Sequence, residues 1–264
     1  MLRHLFTWTL LIVVGFSANA NDLLDQLGIK ATGTNQIPST LSVPLSQDQM
    51  VQGLKEALGK GIQQAVSQLG QSNGFLNNLS VKIPMPQKLQ TVEKTLRSLH
   101  QEKLADDFVV TMNRAAEQAV PAAASVFASA MQQMTIDDAK NILTGPSDAA
   151  TKFFQKTTQT NLIAKFSPIV KKATESNHVT SAYKNLMAKA QQPNLGESSG
   201  ALGGFLNKGT ELLGKNAVDL DAYVTQKSLD GLFKMVAAEE KKIRENPAAR
   251  TSEVLQQVFG AIKK

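Results

Sequence analysis

The chain has 264 residues, with 28 Lys and Arg against 22 Asp and Glu, which gives a formal net charge of +6 at pH 7. It has no cysteine, so a disulfide framework, a cysteine nucleophile and a thiolate metal site are excluded. Aromatic residues make up 5% of the chain and the lysines are scattered, so we expect neither a carbohydrate-stacking platform nor a nucleic-acid partner.

Residues 1–20 have the pattern of a secretion signal. Arg3 gives a positive N-terminus, "LFTWTLLIVVGF" is an apolar run of about twelve residues, and Ala18–Ala20 has the small-x-small form that signal peptidase cleaves. The run is too short for a permanent membrane span. We expect a cleaved signal, a mature chain from Asn21 and no transmembrane segment after cleavage, with an uncleaved N-terminal anchor as the alternative.

The first mature helix is predicted to follow a flexible segment over 21–45. Along most of the chain apolar residues recur at spacings of three and four, which is typical of amphipathic helices. Ser46 and Gln49 have the spacing of a capping box, which predicts a helix start. The helix should end at Gly70, and its apolar stripe comprises Met50, Leu54, Leu58, Ile62, Val66 and Leu69.

An irregular connector with Pro84 and Pro86 is predicted to lead to a second helix at about 86–99. The next helix carries an apolar stripe, and Pro121 should kink or restart it before "AAASVFASAMQQM". The abundant alanine predicts central helices with close neighbours. The stripe comprises Leu104, Phe108, Met112, Ala115 and Ala119.

The stretch "MTIDDAKNILTGPSDAATKFF" predicts two helices joined by a tight corner. Thr135 has the position of an N-cap, with Asp137 and Asp138 in the positively polarised first turn. Gly145 is expected to end the helix in a left-handed conformation, and Ser147 to cap the next helix. A carboxylate site that binds a ligand is the alternative interpretation of the aspartates.

The pattern predicts an all-α, compact, multi-helix bundle-like domain of about eight to ten helices. Its main part is expected over 46–190. Residues 191–218, rich in Gly, Ser and Pro, are expected to form a linker with a short helix. Residues 219–264 are predicted to be C-terminal helices that pack on the main part, with a last helix after Pro247.

Two ion pairs are predicted within the C-terminal unit. Asp230 with Lys234 and Glu240 with Arg244 stand four residues apart in the favourable order. On an exposed helix each pair stabilises by only a few tenths of a kcal/mol.

Polar residues in "MNRAAE" lie on the alanine-rich helix that we expect to be buried. One interpretation of Asn113, Arg114 and Glu117 is an internal Arg–Glu network that fixes helix register, because buried charge needs partners. The other is a ligand-binding patch in a helical groove, with Arg114 holding an anionic head group. Arg244 and Arg250 in "EEKKIRENPAAR" are weaker candidates of the same kind.

Metal and nucleophile chemistry has little support. The mature chain has two histidines, His100 and His178, too few for a three-histidine zinc site. Glu175 and His178 form one Glu-x-x-His pair where a di-iron bundle needs two. Ser72 and Ser198 lie in G-x-S-x-G strings without the strand-to-helix context. We therefore predict no metal and no cofactor, and assign no catalytic residue.

Several blocks together resemble a known family. They include "GLKEAL", "IPMPQKLQ", "FVVTMNRAAEQAVP", "MTIDDAKNIL", "FSPIVKKA" and "YVTQKSLDGLFKMVAAEEKKIRENPAARTSEVLQQVFG". Over residues 45–260 the chain is similar to the exported bacterial family called domain of unknown function 4197. The resemblance implies an all-helical secreted domain, mostly of Gram-negative bacteria, and supplies no activity or site residue.

These observations favour a periplasmic, non-catalytic binding or interaction module. Its ligand would be an amphiphile, an envelope component or a protein partner, held in a groove between alanine- and methionine-rich helices. One alternative is an envelope hydrolase that uses carboxylates such as Asp137, Asp138 or the pair Glu239 and Glu240. Another is a structural or assembly factor with a large exposed apolar patch.

Overall fold

The computed structural model describes residues 46–98, 100–178, 180–181, 183–184 and 218–245. All of them belong to the second of two compact units of the chain, Leu45–Lys264. The regular secondary structure of this part is all helical, with no strand within the ranges just given, which confirms the all-α fold class; the expected eight to ten helices are not confirmed. The predicted signal, the 21–45 segment, almost all of the linker, the last helix, Ser198 and Arg250 lie outside the described residues.

The helices have unequal lengths, and the longest lie at the centre. Their bounds are α1 Gln47–Gly70, α2 Gln90–Ser98, α3 Glu102–Ala119, α4 Ala123–Gln133, α5 Ile136–Thr144, α6 Ala149–Glu175 and α7 Leu220–Glu245. Single-turn 3-10 helices at Gln87–Leu89 and Val120–Ala122 precede α2 and α4. α6 packs most extensively on α7 and α3, and α7 also packs on α1.

Helix α1 begins as its sequence predicts. The Ser46 hydroxyl accepts from the Gln49 N–H at 3.2 Å, and the Gln49 side chain accepts from the Ser46 N–H at 2.9 Å, so the capping box is confirmed. The predicted stripe faces the core. Leu54, Leu58, Ile62 and Leu69 are buried, and Met50 and Val66 are partly buried against them.

Aromatic rings join the central helices. Phe127 of α4 meets Phe154 of α6 at 5.3 Å between ring centroids and Phe233 of α7 at 6.1 Å, both edge to face. Most of the stripe predicted on α3 is buried with them, but Leu104 is 40% exposed. Leu104 lies in the first turn of α3, and the apolar stripe predicted from spacing alone is wrong at this position.

The corner between α5 and α6 differs from its predicted geometry. Gly145 has φ −79° and ψ 179°, an extended conformation, so the expected left-handed stop is wrong. A Cβ on Gly145 would lie 2.5 Å from the Asn141 carbonyl oxygen and 2.9 Å from the Ala149 Cβ. Glycine is therefore required here because a backbone oxygen of α5 and the first side chain of α6 leave no room for a Cβ, and not because φ is positive.

The start of α6 also departs from the prediction. Asp148, and not Ser147, occupies the N-cap position, and its side chain makes no capping hydrogen bond. Asp148 instead pairs with Lys152 at 2.9 Å. The N–H groups of Ala150 and Thr151, in the first turn of α6, bond instead to the Glu240 side chain of α7.

One of the two predicted ion pairs on α7 forms. Arg244 bonds Glu240 at 2.8 Å, as predicted. The prediction of an Asp230–Lys234 pair is wrong. The Lys234 ammonium donates to the Ser80 carbonyl at 2.8 Å, and Asp230 pairs with Lys227 at 3.3 Å. Lys234 therefore bonds a backbone carbonyl of the connector instead of Asp230 on its own helix.

Two glycine substitutions separate crowding from helix propensity. Gly145→Ala should lower the free energy of unfolding by about 1–3 kcal/mol, because the new Cβ meets backbone that has no room to move. Gly59→Ala in α1 should raise it by about 0.5–1 kcal/mol, since the nearest atoms, on Met131, are 4.0 Å away. Urea unfolding of both variants measures this, and effects of equal sign would contradict the account of the corner.

Candidate functional site

The predicted site residues are distributed over several places on the bundle. Asn113 and Glu117 lie under the connector that follows α1, Asp137 and Asp138 lie in the first turn of α5, and Arg244 lies near the end of α7. Arg114 is exposed on α3. Arg250 lies outside the described residues. The residues that sequence analysis grouped as one candidate set therefore have separate surroundings.

Asn113 binds the backbone of the connector. Its fully buried amide donates to the Ile83 carbonyl at 2.9 Å and accepts from the Ile83 N–H at 2.9 Å. It also donates to the Val109 carbonyl on its own helix at 2.8 Å. The side chain thus satisfies both backbone groups of a connector residue that has no strand beside it.

Glu117 binds the same connector nearer its start. Its carboxylate accepts from the N–H groups of Asn73 at 3.1 Å, Phe75 at 3.1 Å and Leu76 at 3.4 Å. Asn73 has φ 63°, in the left-handed region, so successive N–H groups converge on one anion. The buried charge of Glu117 is balanced by peptide dipoles, whereas Arg114 is exposed, so the expected internal Arg–Glu network is not what the structure has.

A second buried carboxylate holds the corner between α5 and α6. Glu240 accepts from the N–H groups of Ala150 and Thr151, both at 2.9 Å, and from the Thr151 hydroxyl at 2.8 Å. Arg244 donates to Glu240 and to the Ile142 carbonyl at the end of α5, each at 2.8 Å. We call Glu240, Arg244, Ala150, Thr151 and Ile142 the corner cluster.

The corner cluster matches charge to both helix ends. A carboxylate lies at the positive N-terminus of α6 and a guanidinium near the negative C-terminus of α5. Sequence analysis identified the Glu240–Arg244 spacing but missed the capping role, because the N–H groups are about ninety residues away in the chain. Glu239, its neighbour, pairs with Lys242 at 2.6 Å.

A further polar cluster joins the end of α6 to the start of α7. The Lys184 ammonium bonds the Asp221 carboxylate at 2.7 Å and the Thr174 hydroxyl at 2.8 Å, and that hydroxyl donates to Asp221 at 2.7 Å. The Tyr183 hydroxyl accepts from the Val218 N–H at 3.0 Å, and burial raises the pKa of this hydroxyl. Local spacing gave no signal for these contacts.

An open groove of about 680 Å³ runs between α4 and α6. Its apolar lining comprises Val126, Ala130, Phe153 and Ala164. Its polar lining comprises Ser125, Ser129, Gln133, Asp138, Thr157, Thr158, Asn161 and Lys165. The sequence predicted a groove beside the alanine-rich helix, but it did not indicate which face stays uncovered or that α6 forms the other wall.

Asp138 is the one sequence-predicted site residue that lines this groove. Its carboxylate accepts from the Thr135 hydroxyl at 2.7 Å and the Thr135 N–H at 3.0 Å, and these bonds lower the pKa of Asp138 below its usual 3.8. The group is therefore ionised at neutral pH and unsuited to act as a general acid. Among the described lining residues Asp138 is the sole carboxylate, so the groove does not offer the pair that a glycosidase-type mechanism needs.

Neither a metal-binding cluster nor a membrane-spanning helix occurs among the described residues. Within the part of the chain that the structure describes, no group of three or more His, Asp or Glu side chains is arranged to hold a metal ion. None of the described helices combines the length and apolar character needed to cross a bilayer.

Comparison with known proteins gives one match. The family model described as "Protein of unknown function (DUF4197)" matches residues 44–260, a range that includes every described helix. Searches of the curated proteins and of the solved structures find no match.

Removing the carboxylate of the corner cluster should be costly. Glu240→Ala removes the carboxylate that accepts from a largely buried guanidinium and from two buried N–H groups, so we expect the free energy of unfolding to fall by about 3–5 kcal/mol. Glu245→Ala, at an exposed position of the same helix, should change it by less than about 0.5 kcal/mol. Urea unfolding compares the two variants, and a loss under about 1 kcal/mol for Glu240→Ala would contradict the proposed capping role.

The Thr135–Asp138 capping box should have an acid-dependent contribution. Because the folded-state pKa of Asp138 is lowered, its stabilisation is present above the unfolded value and is lost as pH falls through the folded value. Asp138→Asn should therefore be less stable than the parent at pH 7, and the difference should shrink below pH 3.8. Exposed Asp137→Asn is the control, and a pH-independent difference for Asp138→Asn would argue against the assignment.

Proposed function

We propose that this chain, which belongs to the DUF4197 family of proteins of unknown function, is an exported, non-catalytic binding module that uses the groove between α4 and α6. The observation that carries the proposal is the groove itself. Its volume of about 680 Å³ lies within the range of about 300–1,000 Å³ that is usual for small-ligand sites.

The lining of the groove suits an amphiphile. Val126, Ala130 and Phe153 offer apolar contact to a hydrocarbon chain. Hydroxyl and amide groups along the same two helices can bond a polar head or ordered water. Lys165, exposed on α6, offers a positive partner to an anionic head group, whereas the Asp138 carboxylate in the same lining is already bonded by the Thr135 hydroxyl and N–H.

The other charged groups support binding rather than catalysis. The Glu117 and Glu240 carboxylates are both buried and already accept several hydrogen bonds from backbone N–H groups. Such groups hold helices and connector in place and do not face a reactant. The exposed large apolar side chains lie one each on the connector, α3, α5 and α6. Among the described residues they therefore do not share one helix face, whereas the structural-factor alternative needs a large apolar patch.

Export is the second part of the proposal, and its support is the sequence pattern of residues 1–20. We expect a periplasmic protein of a Gram-negative bacterium, whose mature chain begins at Asn21. The lack of cysteine suits this placement, since folding then proceeds without disulfide exchange in an oxidising compartment.

Native mass spectrometry of protein purified from its own periplasm tests both parts. We expect the mass of residues 21–264 together with a reproducible adduct whose mass identifies the ligand class. An uncleaved mass would contradict export through a cleaved signal. An adduct that persists when a tryptophan at position 164 fills the groove would mean that the ligand binds elsewhere.

Two alanine-to-tryptophan variants give the matched comparison. Ala164 lines the groove, whereas Ala128 is exposed on α4 outside it. Titrated with lauric acid as an anionic amphiphile, Ala164→Trp should bind about tenfold more weakly than the parent, or about 1.4 kcal/mol. Ala128→Trp should bind like the parent, and equal affinities of all three proteins would refute the groove as the site.

A further inference from the structure

We propose that Arg114, Gln118 and Lys172 form a second binding site, which takes a phosphate monoester in the open cavity between the ends of α3 and α6. This site is separate from the groove between α4 and α6, and it does not rest on the proposed function. The cavity has a volume of about 540 Å³. Its lining comprises Gln118, Pro168, Ile169, Lys172, Ala173 and Ser176.

The last turns of α3 expose a single line of side chains. Residues 111–119 are all buried except Arg114 and Gln118. These two stand four residues apart, so they lie on the same face of the helix. Because the other side chains of these turns are packed in the core, the backbone that carries Arg114 and Gln118 is held in place.

Arg114 lies toward the end of the cavity where α6 stops. Gln118 lines the cavity together with Lys172. Phe108, ten residues before Gln118, contacts Tyr183 beyond the end of α6, at 5.6 Å between ring centroids. α3 therefore runs antiparallel to α6. Arg114 stands about 6 Å from Gln118 along the axis of α3 in that direction, so its long side chain can reach the opening that Lys172 lines.

The polar side chains at this opening are available to a ligand. Among the described residues, Arg114 and Lys172 have no ion pair, and the Gln118 amide makes no side-chain hydrogen bond. The Ser176 hydroxyl, in the same lining, already donates to the Ala173 carbonyl at 2.8 Å. Two cations and one amide therefore remain as donors.

No acidic side chain balances these two cations. The described lining of the cavity contains no carboxylate. Glu117 of α3 is buried and accepts from N–H groups of the connector. Glu175, in the last turn of α6, lies 3.8 Å from the Lys184 ammonium. The opening is therefore positive, and an anion is the ligand that its charge favours.

The donor set suits a doubly charged oxyanion. The Arg114 guanidinium can bond two phosphate oxygens through parallel N–H groups, and the Lys172 ammonium can bond a third. The Gln118 amide adds a neutral donor. A phosphate monoester carries about −1.5 to −2 charges at pH 7, which two cations match, whereas a carboxylate carries one charge on two oxygens.

One wall of the cavity suits the organic part of such an ester. Pro168, Ile169 and Ala173 form this wall. Pro168 has no backbone N–H, so it offers a ligand only the carbon atoms of its ring. An aromatic or short alkyl group can lie on this wall while the phosphate oxygens face the cations.

Calorimetric titration of the full chain with phenyl phosphate tests the site. Arg114→Gln and Lys172→Gln should each weaken binding by about tenfold or more, because each removes a charged hydrogen-bond donor. Lys171→Gln is the matched control, since Lys171 is exposed on the same helix but does not line the cavity. It should bind phenyl phosphate like the parent.

Two results of these titrations would overturn the proposal. One is a parent protein that does not bind phenyl phosphate. The other is equal weakening in Lys171→Gln and Lys172→Gln, which would mean that net charge alone attracts the anion. Arg114→Lys keeps the charge without the paired N–H groups, so it should recover only part of the affinity.

Two further ligands test the chemical class. Phenyl sulfate has the same ring but one negative charge, and it should bind more weakly than phenyl phosphate; equal binding would contradict the assignment to phosphate. Inorganic phosphate lacks the ring. Tighter binding of phenyl phosphate supports an organic ester, whereas equal affinity would overturn the ester and indicate free phosphate.

Urea unfolding separates binding from a structural role of the cations. Arg114 and Lys172 could instead offset the negative end of α6. In that case Arg114→Gln and Lys172→Gln would lower the urea midpoint and leave phenyl phosphate affinity unchanged, which would overturn the proposal. We expect the opposite result, with affinity lost and the midpoint close to that of the parent.

Discussion

The fold depends on one buried carboxylate, that of Glu240. Helix α6 is the central helix of the bundle, yet it starts without a side-chain cap of its own. Glu240 supplies that cap from α7, and Arg244 carries the same contact to the end of α5. A carboxylate with both oxygens engaged by N–H donors recovers much of the solvation it lost on burial, which is why a charge can remain among the apolar side chains of the core.

The connector after α1 is held by the same principle. Turns within it satisfy some of its backbone groups, but no strand lies beside it, so the others would be unsatisfied if they were buried alone. Asn113 and Glu117, one turn apart on α3, accept hydrogen bonds from N–H groups of the connector, and the Asn113 amide also donates to the Ile83 carbonyl. The polar residues that looked most like a ligand site therefore bind the protein's own backbone, and function has to be sought on the surface that remains.

That surface is the groove between α4 and α6. Its small and hydroxyl-bearing residues leave room where larger side chains would have closed the bundle. Asp138 shows how a single residue takes part in both structure and site, since it caps α5 and also lines the groove. A shallow, mixed surface of this kind favours an elongated amphipathic occupant, whether a lipid chain or a helix, over a compact polar substrate.

The sequence by itself determined what rests on contacts a few residues apart. The capping boxes at Ser46 and Thr135, the buried stripe of α1 and the spacing of Glu240 with Arg244 were all predictable, because helix caps and i, i+4 pairs are local. Only the tertiary structure decided the conformation of Gly145, the cap of α6, and the roles of the buried acids. Those features depend on which distant backbone groups meet each side chain. Helical periodicity predicts which side of a helix is buried, but it does not predict which atoms of other elements will contact that side.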